Sequence, residues 1–413
     1  MVESVSIEKI ADSTGTPVYI YSTEAFLTPL KEFQRGLASV DHLICFAVKA
    51  NSNINVLKLL GDAGAGMDLV SGGELHRVGL AKIPADRVVF SGVGKSPGEM
   101  AAAMKMQRRG IFCFNVESTA EIETLNAVAE SLNQCAPVAL RFNPDVNPKT
   151  HPYISTGLKK NKFGMDRKEI LEIVRNLKNY RFIEIKGLSI HIGSQLLSLD
   201  PLDDAFQKLG QLIDELNTKL PRPLTHVDLG GGLGITYSKG EKSPPIRKYC
   251  ELVLKHFGPN AQQRLPFKIL IEPGRILSGN SGILVTEVLY RKERPTKDFL
   301  IVDAAMNDLL RPSLYGSFHD IVPVKKLNGR PKKTDIAGPV CETGDCFAHD
   351  RAMTTQLKSG DLLAILSAGA YGFTMSSNYN SRPRPPEVLV SNGKFTVIRE
   401  RENYDDLTRG EAG

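Results

Sequence analysis

Eight short apolar runs recur between residues 43 and 272, each followed by a polar or glycine-rich step and then a helix-like stretch. They are 43–48 (LICFAV), 67–70 (MDLV), 87–90 (RVVF), 111–116 (IFCFNV), 137–142 (PVALRF), 187–192 (GLSIHI), 225–229 (THVDL) and 268–271 (KILI). Between them, 55–63, 72–78, 97–107, 119–131, 167–177, 203–219 and 247–257 are helix candidates. Strands buried on both faces read as unbroken apolar runs, and parallel neighbours need a crossover, usually a helix. Eight such units in about 230 residues have the count and length of a (β/α)8 barrel, whereas an open doubly wound sheet usually has fewer strands.

Beyond about Pro273 the texture changes to Gly, Pro and short alternating runs, at 282–288, 298–302, 340–342, 362–366, 387–390 and 395–398. These predict a β-rich second domain, a barrel or a sandwich. Run 17–21 (PVYIY) is a candidate strand to join it, leading into a helix over 23–39. The expected organisation is therefore α/β: an N-terminal segment 1–30 packing with the β domain, a TIM barrel over 31–275, and the C-terminal β domain over 276–413.

With 41% hydrophobic and 24% charged residues, the chain has ordinary globular usage, which excludes a disordered or collagen-like polymer. Its 52 Lys+Arg against 46 Asp+Glu give a net charge of +6, suited to anionic small molecules. The densest basic stretch, 325–333 (KKLNGRPKK), contains Asn-Gly and Arg-Pro steps and reads as a solvated loop. No basic stripe is interleaved with aromatics and Trp is absent, so no nucleic-acid partner is expected. No apolar run approaches the roughly 18–20 residues of a membrane helix, and the first residues lack the basic start and apolar centre of a signal peptide. Cys45, Cys113, Cys135, Cys250, Cys341 and Cys346 show no CxxC pairing, which argues against zinc or disulfides. No metal, no membrane and a cytoplasmic location are the expectations.

Active sites of such barrels lie at the C-terminal ends of the strands. There stand Lys49, Ser71 with Glu74, Glu117, His191 with Gly193-Ser194-Gln195, the glycine run Gly230, Gly231, Gly232 and Gly234 after Asp228, and Glu272-Pro273-Gly274-Arg275. Lys49 follows an unbroken apolar run, so its ammonium should point into the barrel mouth. Desolvation and neighbouring cations there would lower its pKa toward the amine that Schiff-base chemistry needs. Ser71 and Glu74 read as a capping box, and Glu117 as structural. The glycine run is not a dinucleotide fingerprint, because Ile235 and Tyr237 stand where further glycines would be needed, and no Walker lysine follows. Four glycines in five positions still offer a row of open N–H groups for a phosphate, the alternative being a tight turn. A reactive lysine with a phosphate nest points to pyridoxal 5′-phosphate. Glu272 is placed to set the charge of its pyridine nitrogen and His191 to stack on its ring, unless His191 is a buried, satisfied histidine.

These segments, namely FAVKAN around Lys49, HIGSQ at 191–195, GGGLG at 230–234, EPGR at 272–275, CETGD at 341–345 and GAYG at 369–372, resemble the fold-type III pyridoxal-phosphate-dependent amino-acid decarboxylases over nearly the whole chain. Within that family the pattern is most similar to members acting on meso-2,6-diaminopimelate. The resemblance implies a carboxy-lyase that forms L-lysine, the last step of lysine biosynthesis, from a small amino-acid substrate. It implies that Lys49 holds the cofactor, and that His191 stacks on it. Ser194, the 230–234 glycines, the EPGR backbone and Tyr371 would take its phosphate, with Glu272 at the pyridine nitrogen. It further implies that Cys341 reprotonates the α-carbon from the partner subunit of a homodimer with shared active sites. Glu342 would meet the distal amino group, and Arg275, Arg311 and Tyr315 the distal carboxylate. The alternatives are an ornithine/lysine or carboxynorspermidine decarboxylase of the same fold, and an inactive cofactor-binding regulator. The stretch 142–165 is a candidate lid.

Overall fold

The structure is a computed structural model describing residues 1–147, 161–238, 240–261 and 267–411. The core of the proposed lid, 148–160, lies outside these residues. The chain divides into two compact units: 27–235 with 242–276, and 1–26 with 236–241 and 277–413.

The first strand, β1 (Val18–Ser22), belongs to the second unit. The other unit is a closed ring of eight parallel strands: β2 (His42–Ala47), β3 (Gly66–Leu69), β4 (Val88–Phe90), β5 (Cys113–Val116), β6 (Ala136–Arg141), β7 (Ile183–Ser189), β8 (His226–Asp228) and β9 (Lys268–Ile271). Closure is made by β9 against β2, in register His42↔Ile269 to Ile44↔Ile271. The intervening helices begin where serine, aspartate or asparagine can accept an otherwise orphaned N–H: Asn53, Ser71, Ser96, Ser118 and Asp166 each cap one. Cys45, Val89, Cys113, Ala139 and Leu270 form a fully buried apolar cluster contributed by five of the strands.

Two differences from the sequence reading have local causes. The sixth strand runs Ile183–Ser189, earlier than 187–192, so His191 follows the strand instead of closing it. A register shift against β6 between Val138 and Ala139 accompanies it. At Ser71 only half of a capping box forms. Ser71 Oγ accepts from Glu74 N–H (3.2 Å), but the Glu74 carboxylate accepts from Val70 N–H (2.7 Å).

The second unit is a mixed nine-stranded sheet: β10 (Gly282–Lys292), β11 (Asp298–Val302), β12 (Ile321–Pro323), β13 (Pro331–Ala337), β14 (Cys346–Thr354), β15 (Leu362–Ile365), β16 (Glu387–Ser391) and β17 (Lys394–Arg399) join β1. The N-terminal strand lies inside this sheet, antiparallel to β10 and parallel to β16. Val18, Ile20, Val285, Val388 and Val390 pack with Val5 and with Ile7 and Ile10 of the first helix (Ile7–Thr14). Residues 340–342, expected as a strand, are instead a loop. The basic stretch also divides, because Lys332 and Lys333 stand in β13 and only the part before Pro331 is loop. Lys332 Nζ is held on Asp298 Oδ1 (2.5 Å).

Candidate active site

At the C-terminal ends of the barrel strands the apolar interior gives way to polar side chains. Lys49 sits in a single 3-10 turn immediately after β2. Its Nζ donates to Asp68 Oδ2 of β3 at 2.8 Å. The lysine side chain is 36% exposed and the aspartate not at all, and Asp68 Oδ1 is buried without a hydrogen-bond partner among the described residues. The direct charged partner of Lys49 is thus a carboxylate, where the sequence suggested cations. Burial also pushes the nearby Glu74 carboxyl up to about 7, against the opposing pull of the Val70 N–H and Lys49.

Glu272 follows β9 and Asp228 ends β8, and both are buried. Asn115 Nδ2 on β5 bridges them, 2.9 Å from Asp228 Oδ2 and 3.2 Å from Glu272 Oε1. Ser91 Oγ also donates to Glu272 Oε1 (3.3 Å). Burial raises both carboxyls; the charges of Asp228 and Asp68 push Glu272 up further, while a hydrogen bond from Glu272 eases ionisation of Asp228. Two buried carboxyls in contact share a proton in preference to carrying two charges.

His191 Nδ1 accepts from Gly231 N–H at 3.2 Å. Burial first, then the charges of Arg141 and Lys49, hold its pKa well below the usual imidazole value, so the ring is neutral. The glycine run needs no ligand to explain it. A Cβ on Gly230 would lie 2.2 Å from Ile190 O, on Gly231 2.1 Å from Glu272 O and on Gly232 2.3 Å from Gly193 O. Gly230 and Gly232 also have φ of 64° and 113°. The chain passes too close to the loops after β7 and β9 for side chains. The same close approach leaves backbone donors open: the N–H groups of Ser194, Gly232 and Leu233 have no acceptor among the described residues. Arg275 Nη2 donates to Ser194 Oγ nearby (2.9 Å). Open N–H groups beside a guanidinium suit a phosphate, and a partly exposed lysine at a strand end suits the cofactor's aldehyde, so the residues fit pyridoxal phosphate.

In the second unit, Arg311 opens the short helix Arg311–Tyr315 and is buried, whereas Tyr315 at its end is half-buried. Cys341 and Glu342 stand exposed in the loop before β14. Asn380 Oδ1 accepts from Cys341 N–H (2.9 Å), and Glu342 accepts a hydrogen bond from the Tyr379 phenol that raises the phenol's pKa. Asp345 anchors this loop, its buried carboxylate accepting from Val340 N–H (2.8 Å) and Met306 N–H (2.7 Å). Tyr371 is half-buried with φ of 55°, a conformation rare for an aromatic residue.

Residues 25–279 match the family model of the pyridoxal binding domain of pyridoxal-dependent decarboxylases. A diaminopimelate decarboxylase of Aquifex aeolicus is 46% identical over 404 residues, 98% of this chain and 93% of the other. The chain belongs to the diaminopimelate decarboxylase family. The enzyme of that name from Helicobacter pylori, solved in complex with L-lysine, is 42% identical, with a TM-score of 0.91 over 97% of this chain and 98% of its own. That of M. jannaschii, also with L-lysine, is 35% identical, with a TM-score of 0.91 over 100% of this chain and 99% of its own.

Several polar side chains at these barrel ends have roles that are not legible in the sequence. Asp68, Asn115 and Asp228 are polar residues inside apolar strand runs, and that interruption was the available signal. Glu117, read as structural, ties the end of β6 to two loops: Arg141 Nη1 (2.6 Å), Gly92 N–H (3.2 Å) and Gly164 N–H (2.9 Å) all donate to it. Elsewhere in the family chain, Asp335, Cys346 and His349 converge on β13 and β14. Lys297 Nζ already neutralises that aspartate at 2.6 Å, which makes the cluster an ion-pair network.

Proposed function

We propose that this chain is a pyridoxal 5′-phosphate-dependent carboxy-lyase that converts meso-2,6-diaminopimelate to L-lysine and carbon dioxide, the last step of lysine biosynthesis. The observation that carries this reading is Lys49, paired with a buried Asp68, on the same barrel ends as the Asp228–Glu272 pair and the open-donor glycine cradle. It is supported by a full-length relative that bears the name of that activity and by solved relatives in complex with L-lysine, the expected product.

When bound, the cofactor's ring takes up the electron pair left as carbon dioxide departs. Lys49 would hold its aldehyde carbon, and neutral His191 would lie against its face. The N–H groups of Ser194, Gly232 and Leu233 would take the phosphate with Arg275, and Tyr371 would add a hydroxyl. Gly230, Gly231, Gly234, Pro273 and Gly274 would keep that backbone clear of side chains. Glu272 would meet the pyridine nitrogen and fix its charge. Cys341, exposed on its loop, would deliver a proton to the α-carbon across the interface of a homodimer. Arg275, Arg311 and Tyr315 would hold the distal carboxylate, and Glu342 the distal amino group. The reducing cytoplasm suits free cysteines and a pathway enzyme.

The test is carbon dioxide release by the purified protein with added pyridoxal phosphate, from meso-diaminopimelate, L-ornithine and L-lysine in parallel. Release from meso-diaminopimelate alone is expected. Release only from ornithine or lysine would keep the cofactor site and overturn the assignment of Arg311 and Glu342.

A further inference from the structure

We propose that His319 and Tyr237 are positioning residues that hold the Arg311 guanidinium ready for a carboxylate, and so set the preference for a substrate with a second amino-acid end. The inference rests on the reading of Arg311 given above.

Arg311 is only 5% exposed. Its Nη1 donates to the Tyr237 hydroxyl at 2.9 Å and to His319 Nε2 at 3.1 Å, and its Nη2 donates to Ser317 Oγ at 3.3 Å. The guanidinium carbon lies 4.9 Å from the centroid of the Tyr237 ring, and that ring meets His319 edge-on at 5.4 Å. The histidine tautomer follows from its other nitrogen. Nδ1 lies 2.8 Å from the Leu366 carbonyl oxygen, which only accepts, so Nδ1 carries the proton. In the neutral ring Nε2 then presents a lone pair, the partner a guanidinium needs. Arg351 holds the histidine backbone in turn, donating to His319 O at 2.9 Å.

A phenol, an imidazole and a hydroxyl fix the plane of the guanidinium. An arginine immobilised beforehand surrenders little rotamer freedom when a carboxylate arrives, and its fork keeps the orientation that two-point recognition requires. Such binding is made alike in the ground and transition states, so its loss appears in KM and not in kcat.

The experiment measures kcat and KM for meso-diaminopimelate with holoenzyme carrying His319→Leu, His319→Gln, Tyr237→Phe or Arg311→Ala. His319→Leu should raise KM roughly tenfold with kcat within about twofold, the scale of a lost hydrogen bond to a charged group. His319→Gln, which restores an acceptor, should recover most of that loss. Tyr237→Phe keeps the ring and removes the hydroxyl, so it carries the test if His319→Leu does not fold, and it too should raise KM alone. Unchanged KM in His319→Leu and Tyr237→Phe, beside a large rise in Arg311→Ala, would overturn the positioning role and leave the Arg311 reading intact. Unchanged KM in Arg311→Ala would overturn the reading of Arg311 itself.

Discussion

Lys49 Nζ lies 2.8 Å from Asp68 Oδ2, the amine at the mouth of the barrel and the carboxylate wholly inside it. A buried carboxylate costs free energy unless it is paired, so Asp68 fixes where the flexible lysine points as much as it balances its charge. Lys49→Ala is expected to abolish turnover together with the visible absorption of covalently held cofactor. Asp68→Asn keeps the shape and removes the charge. It should cost about 1.5–3 kcal/mol of transition-state stabilisation, read as a fall of one to two orders of magnitude in kcat/KM.

Cys341→Ala should slow turnover by about 10²–10⁴-fold while leaving the cofactor absorption unchanged, because the thiol's proposed task is proton delivery and not cofactor retention. Stopped-flow turnover beside an absorption spectrum separates the two, and a variant with normal kcat would remove Cys341 as the donor.

Glu74 supplies a dependence on pH whose sign can be worked out. Its carboxyl ionises near 4.5 in the unfolded chain and at about 7 in the folded one. Between those values the native state holds a proton that the unfolded state has released, so this group's contribution to stability is lost as pH rises from about 4.5 to 7. Glu74→Gln removes the titration and can still accept from Val70 N–H. Its stability relative to the parent should therefore climb across that window, by about 1 kcal/mol after allowance for partial exposure. Urea melts at pH 4.5 and 7.5 measure it, and a gap constant with pH would contradict the assignment.

Two glycines in the barrel unit should respond oppositely to alanine. A Cβ at Gly231 meets the Glu272 carbonyl oxygen at 2.1 Å, a backbone atom that cannot rotate away. Gly231→Ala should destabilise by about 1–3 kcal/mol and weaken cofactor retention. Gly79 lies in the helix Gly72–Leu80 with open space where a Cβ would be, so Gly79→Ala should stabilise by about 0.5–1 kcal/mol. Thermal melts of the two variants decide both.

The barrel was legible because strands covered on both faces carry little but apolar residues, as in LICFAV and KILI. The strands β13 and β14 were not, since Lys332, Lys333, Asp335, Asp350 and Arg351 interrupt any alternation. Their charges are met by partners distant in sequence, Lys332 by Asp298 and Asp335 by Lys297. Lys49, His191, Glu272 and the glycines stood out through their positions after strands. Asp68, Asn115 and Asp228 acquire meaning only when the ring closes and sets residues 113 apart, as Asn115 and Asp228 are, within hydrogen-bond distance. Spacing along the chain carries no trace of that.

The glycine cradle has no freedom of its own, because the loops after β7 and β9 press on it at distances only hydrogen can fill. Its donors therefore stand where neighbouring strands put them, and a slip in either neighbour would scatter them. Phosphate affinity in this protein should consequently behave as a gauge of ring closure. During refolding, cofactor capture would mark the moment the last strand locks, a readout of assembly built into the chemistry itself.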